Sequence, residues 1–292
     1  MCDSCVFRRV FLVISCAASC AAFNPSIGRI LPWIQDVSYP QPIGCRSFSY
    51  HSSRPAVSNV FMKYDLDLTG KVALVCGVAD ASGYGWAIAK QLSNAGATVI
   101  VGTWPPVLKL FERGLKKGFG ENSKPLDGSE MRVEKIYPLD AAFSNPSEIP
   151  EHVKANKRYA SVENYDIQSC AEQVKKDYGK VDILVHTLAN GLEVKKPLLD
   201  TTRGGYLAAS SASAFSMVAL VSAFGPLMPP GSSAMSLTAI ASERVTPGYG
   251  GESLYLCMCM CVCMCVCVKG CRCGCCGCGC GCRVACAVCV VH

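Results

Sequence analysis

The sequence is poor in the features that most directly announce a partner. It has no block of Lys and Arg interleaved with aromatics, and its formal charge of +6 is mild. That balance argues against nucleic acid as a partner. The apolar run Val10–Phe23 near the N-terminus is fourteen residues long, too short to span a bilayer comfortably, and no stable membrane span is expected. The seven cysteines outside the C-terminal tract are scattered, two of them at the extreme N-terminus. They form no disulfide framework, so the central region reads as a protein of a reducing compartment. No G-x-G-x-x-G occurs, and Asn24 to Val60 holds a single acidic residue, Asp36.

What is present falls into segments. Arg8 and Arg9 precede the short apolar run, which ends in small residues and has the form of a secretory signal over residues 1–23. A plain disordered start is the alternative. Residues 24–62 are rich in Ser, Arg and Pro and have transit-peptide composition, too little apolar surface to fold alone. Signal followed by transit segment is the two-part address of a plastid reached through the secretory route. Residues 63–255 then read as one domain, and residues 256–292 as a cysteine-rich low-complexity tail.

Within 63–255, apolar runs alternate with helical spacing. "KVALVC" (Lys71–Cys76) is a buried-strand run, and "GYGWAIAKQLSNAG" (Gly83–Gly96) is a helix with a glycine stop. "ATVIVGT", "MRVEKIYPLD", "VDILVH" and "SSAMSLTAIA" supply further strands. "IQSCAEQVKKDYGK" and a long Ala/Ser-rich stretch from about Arg203 to Phe224 supply helices. The pattern predicts an α/β fold with a Rossmann-type, doubly wound parallel sheet, truncated after the fifth strand. That last strand would be left as an unpaired, aggregation-prone edge.

The first strand runs into "CGVADASGYGWAIA", with glycines at 77, 83 and 85 where strand turns into helix. Such a turn lets backbone N–H groups and the helix dipole approach a pyrophosphate, although a tight turn with no ligand has the same appearance. Trp104 ends the second strand, where many dinucleotide folds carry an acid for the ribose; a Trp packed on Pro105–Pro106 is the plain alternative. Asp140, followed by Ala141, ends the third strand and is either a hydrogen-bond acceptor for a base or a helix cap. Thr187, Leu188, Ala189, Asn190 and Gly191 follow the fourth strand, at the carboxyl edge where open sheets bind ligands. His186 has no carboxylate partner in sight and reads as structural.

"GVADASGYGWAIA", "VGTWPPV", "KIYPLDA", "NKRYASVENYDI", "DILVHTLANG", "KPLLDTTRGGYLAA" and "SLTAIASERVTPGYGG" together resemble the enoyl-acyl-carrier-protein reductases, a branch of the short-chain dehydrogenases. The plastid and apicoplast types are the most similar, and the likeness covers about Tyr64 to Gly251. It implies NADH-dependent reduction of enoyl thioesters on acyl-carrier protein, in fatty-acid biosynthesis. By the same resemblance Gly77, Gly83, Tyr84, Trp104, Asp140, Ala141 and Thr187 to Gly191 would hold NAD, with the Trp104 indole along the adenine. No Arg lies immediately beside Trp104 to receive a 2′-phosphate. Tyr249 matches the tyrosine that faces the substrate carbonyl, and no metal is implied. Where the family has a second tyrosine this chain has Ala239. Where it has a lysine, seven or eight residues past Tyr249, this chain has Leu256 and Cys257.

Fifteen of the 22 cysteines lie between Cys257 and Cys289. "CMCMCVCMCVCV" back-translates to a near TG repeat, so the tail reads as translated intron or repeat DNA. A soft-metal thiolate cluster and a disordered, aggregating tail are the alternatives. Without the family's lysine helix, the chain as written is expected to lack turnover and the family's homotetramer. A catalytically dead dinucleotide-binding remnant, a metal-binding fusion, or a different short-chain dehydrogenase acting on carbonyls would be the competing readings.

Overall fold

A computed structural model of the chain describes residues 66–119, 131–191, 193, 196–239 and 284–291. The expected leader segments, and Tyr249, lie outside the described residues. The core elements are β1 (Val72–Cys76), α1 (Tyr84–Asn94), β2 (Thr98–Thr103), α2 (Pro105–Lys117) and β3 (Lys135–Pro138). They are followed by α3 (Glu151–Lys154), α4 (Ile167–Tyr178), β4 (Ile183–His186), α5 (Arg203–Ser210), a π-helical turn (Ser211–Phe215), α6 (Ser216–Phe224), β5 (Ser232–Ala239) and β6 (Val284–Val291). The strands form one sheet in the order β3-β2-β1-β4-β5-β6, parallel throughout. The chain order reverses direction between β1 and β4, the switch point at which open sheets of this kind form a crevice at the carboxyl edge.

β1 explains why the sheet is covered on both faces. All five of its residues are buried, as an unbroken "VALVC" run requires in a parallel sheet. Val72, Leu74 and Cys76 face one layer, made with Ile167, Cys170 and Val174 of α4 and Met217, Leu220 and Phe224 of α6. Ala73 and Val75 face the other, with Trp86, Ile88 and Leu92 of α1 and Phe111 of α2. Each such large side chain removed from water stabilises by about 1.5–3 kcal/mol, so the two layers anchor the sheet from both sides. The edge of the Trp86 ring meets Phe111 and Phe119 at centroid distances of 5.9 and 5.2 Å.

Three elements differ from expectation. Helix α2 begins at the prolines of "WPP", directly after Trp104, where no helix was expected. Its prolines sit in the first turn, where a missing N–H costs nothing. The long Arg203–Phe224 helix is interrupted by the π turn. The stretch Arg203–Leu227 is long and apolar enough to cross a membrane, but half of its most apolar window is buried inside the protein. Its apolar face packs on the sheet, which makes it a core helix of this fold.

The third difference corrects the truncated sheet. β5 is not the last strand and not an open edge, because β6, drawn from the tail, pairs with it from Ser232↔Val284 to Ala239↔Val291. β4 covers only Ser233–Ser236 of β5 on the other side. An eight-residue strand with one bare flank demands backbone partners, and "VACAVCVV" is rich in the β-branched residues that supply them. Removing Val284–His292 should therefore uncover the β5 backbone. Light scattering should then show concentration-dependent self-association absent from the full chain. Identical scattering from both would contradict the pairing.

Candidate functional site

Four loops meet at the carboxyl edge of the sheet. After β1, Gly77 has φ +103°, a conformation that L side chains rarely adopt. Its N–H and that of Val78 both donate to the Gly102 carbonyl at the end of β2, at 2.9 and 3.2 Å. After β4, the Thr187 hydroxyl and its N–H both donate to the Cys76 carbonyl, at 2.8 and 2.9 Å. The two turns are thus drawn together. A Cβ on Gly77 would stand 2.7 Å from the Thr187 carbonyl oxygen, and one on Gly85 would stand 2.8 Å from the Thr187 hydroxyl. Gly77 and Gly85 are glycine because Thr187 leaves no room.

Gly83 is different. It precedes α1 with φ −76° and ψ 158°, ordinary extended backbone, and an added Cβ would meet only the Asp80 Oδ1 atom, at 3.7 Å. Nothing inside the protein requires glycine there, and the bare backbone faces open space at a helix N-terminus. Asp80 Oδ1 accepts from the Ser82 N–H and hydroxyl, both at 2.7 Å, and from the Gly83 N–H at 3.0 Å. These donors hold the Asp80 carboxyl below its ordinary value against partial burial, so it stays ionised. Tyr84, first in α1, is 39% exposed.

At the β2–β3 end, Trp104 precedes α2 and is 43% exposed, so it is not packed away on the prolines. Its indole N–H donates to Asp140 Oδ2 at 3.1 Å. The Tyr159 hydroxyl donates to the same oxygen at 2.6 Å, and the Ala142 N–H donates to Oδ1 at 3.1 Å. Asp140 caps no α-helix; its carboxylate is buried and gathers three donors, which offset a desolvation cost that an unpaired buried carboxylate could not bear. Burial, then the bond to Asp140, pushes the Tyr159 phenol well above its ordinary value, so it remains a donor. Tyr165 meets Tyr159 edge-on at 5.1 Å and keeps that ring in place. Ala141 is buried beside Asp140. Tyr159 belongs to the "NKRY" segment, and its reach to Asp140 has no signal in the spacing of the sequence.

At the β4 end, Leu188 packs on the core while Ala189 and Asn190 are exposed and Gly191 is half-buried. His186 just before them is fully buried. Its Nε2 lies 2.8 Å from the Ser216 hydroxyl and its Nδ1 lies 2.8 Å from the Ser236 hydroxyl. Ser216 spends its own proton on the Ala212 carbonyl, at 2.8 Å. It must therefore accept from His186, which assigns the imidazole proton to Nε2 and leaves Nδ1 to accept from Ser236. His186 is a fully buried bridge between β5 and the first residue of α6. Ala239 ends β5.

An open α/β sheet with a glycine turn and an aromatic–carboxylate pair at its carboxyl edge defines a dinucleotide-binding architecture of the Rossmann type. A family profile described as "Enoyl-(Acyl carrier protein) reductase" matches residues 152–256. The chloroplastic NADH enoyl-acyl-carrier-protein reductase of Arabidopsis thaliana is 54% identical over 213 residues, 73% of this chain and 54% of that protein. One from Oryza sativa subsp. japonica is 57% identical over 187 residues, 64% of this chain and 50% of the relative. The crystal structure of the Plasmodium berghei enoyl-acyl-carrier-protein reductase with triclosan superposes with a TM-score of 0.63 at 43% identity, covering 65% of this chain and 67% of that one. The chain belongs to the enoyl-acyl-carrier-protein reductase family. It spans about half the length of the curated plant relatives it matches.

Burial removes the His186 imidazolium from water and pushes its pKa down to about 4, against 6.5 in the unfolded chain. The unfolded chain takes up its proton first, so this contribution is whole above pH 6.5 and is lost progressively between pH 6.5 and 4. Between pH 7 and pH 5 the loss should reach about 2 kcal/mol, read from urea unfolding. His186→Gln should not share it, and equal losses in both chains would contradict the assignment.

Proposed function

We propose that the chain carries the dinucleotide-binding half of an NADH-dependent enoyl-acyl-carrier-protein reductase, and that as written it binds NADH without turning it over. The observation that carries the binding is the Trp104–Asp140–Tyr159 cluster: an exposed indole face beside a carboxylate already oriented by three donors. Such a pair suits adenine, with the ring laid along Trp104 and its amino group donating to Asp140. Tyr84 at the start of α1, beside Gly83 whose own N–H is taken up by Asp80, would receive the pyrophosphate, where the first-turn N–H groups and the helix dipole favour an anion. Gly77 sets the turn, Ala141 borders the adenine, and Thr187 to Gly191 would border the nicotinamide.

When bound, NADH supplies a hydride to the β-carbon of the enoyl thioester. The residue left to the protein is Tyr249, whose phenol would donate a hydrogen bond to the thioester oxygen as negative charge gathers there. The family's second tyrosine is Ala239 here, and its lysine position falls on Leu256 or Cys257, neither of which can hold the nicotinamide ribose. Removing an electrostatic support of that kind commonly costs about a hundredfold or more in rate.

The physiological partner in this reading is acyl-carrier protein bearing an enoyl group, and the compartment is a plastid of the apicoplast-like type, reached through signal and transit segments. The curated plant relatives are chloroplastic, which supports the coarser part of that address. The family's homotetramer is not expected to form. The alternating tract from Cys257 is taken as repeat-derived sequence.

The test is a titration of the purified chain with NADH by fluorescence, followed by addition of an enoyl thioester. Saturable binding with no thioester-dependent oxidation of NADH is expected. Rapid oxidation would contradict the inactivity, and absence of binding would contradict the cofactor site.

A further inference from the structure

The loop after β4 is exposed at Ala189 and Asn190, yet it is held from beneath by one buried hydroxyl. Ser213 is 1% exposed and sits within the π turn. Its Oγ accepts from the Asn190 N–H at 3.0 Å and donates to the Asn190 carbonyl at 3.3 Å. A single side chain thereby closes both backbone groups of one loop residue. The π turn is what aims it. The Ser216 N–H reaches back to the Ser211 carbonyl, five residues earlier, and the Ser216 hydroxyl takes up the Ala212 carbonyl. Such a turn shifts helix phase by one residue, and π turns of this kind recur at functional sites. Here it buries Ser213 and Ser216 together, one under the loop and the other against His186 at the end of β4.

We propose that Ser213 is a positioning residue for the nicotinamide end of the cofactor: its hydroxyl fixes the backbone of Asn190 and with it the rim formed by Thr187 to Gly191. The inference rests on the NADH-binding reading above. The other anchor of this loop is Thr187, tied to the Cys76 carbonyl. Between those anchors, Leu188 to Asn190 have their path set at both ends before a ligand arrives. Preorganisation of that sort lowers the ordering cost at binding and acts only on the ligand part that touches the loop.

That locality gives a test. NADH and ADP-ribose share the adenosine and pyrophosphate, and only NADH carries nicotinamide. In the full 292-residue chain, Ser213→Ala should weaken NADH by roughly five- to tenfold, as expected for a lost pair of buried hydrogen bonds. Its affinity for ADP-ribose should stay within about twofold. Ser213→Cys keeps most of the volume and loses the strong hydroxyl bonding, so it should behave like Ser213→Ala, which separates the bonds from a cavity effect. Parallel weakening of both ligands, or unchanged NADH affinity in both variants, would overturn the proposal. So would equal affinity of the unaltered chain for the two ligands. Failure of the unaltered chain to bind either one would sink the cofactor reading itself, and the proposal with it; binding with no effect of Ser213 would sink the proposal alone.

Discussion

The contact between Thr187 and the backbone after β1 is the constraint on which the rest of the crevice depends. Two hydrogen bonds to the Cys76 carbonyl pull the β4 loop against the β1 turn, at the switch point of the sheet. That closeness dictates glycine at 77 and at 85, whose added Cβ atoms would stand under 3.0 Å from Thr187. It also fixes where α1 begins, and so where its N-terminal N–H groups point. Packing, backbone conformation and candidate ligand geometry are here one problem, solved by removing two side chains.

A second constraint works further out. Asp140 sits buried at the end of β3 and is kept there by donors from three places: the Trp104 side chain, the Tyr159 side chain and the Ala142 backbone. The carboxylate in turn holds the indole at the sheet edge with nearly half its surface free. Ser213 of the π turn and Ser216 at the start of α6 play the matching part beside β4, through Asn190 and His186. Each rim of the crevice therefore has a buried polar group that orients an exposed one. Buried polar groups with full partners are the rigid part of such sites.

Much of the fold was legible in the sequence, because unbroken runs such as "VALVC" and "ILVH" leave little choice in a covered parallel sheet. The positions of the glycine turn, Trp104 and Asp140 just past the ends of β1, β2 and β3 were legible from the strand runs that precede them. Tyr159 and Ser213 were not, since each acts across a gap in sequence that only packing closes. The π turn was hidden in an ordinary Ala/Ser-rich helical pattern. β6 was missed for a different reason: the composition of the tail drew attention away from the β-branched run "VACAVCVV". α2 was hidden by its own prolines, which end most helices and begin this one.

The most direct measurement of the account is hydrogen–deuterium exchange of the full chain with and without saturating NADH. The account predicts added protection at the β1–α1 turn around Gly77 to Gly85, at Trp104 to Val107, at Asp140 to Ala142 and at Thr187 to Gly191. Little change is predicted at the N-terminal ends of the strands, on the far side of the sheet. Protection confined to other segments, or none at all under conditions where NADH is bound, would contradict the placement of the site.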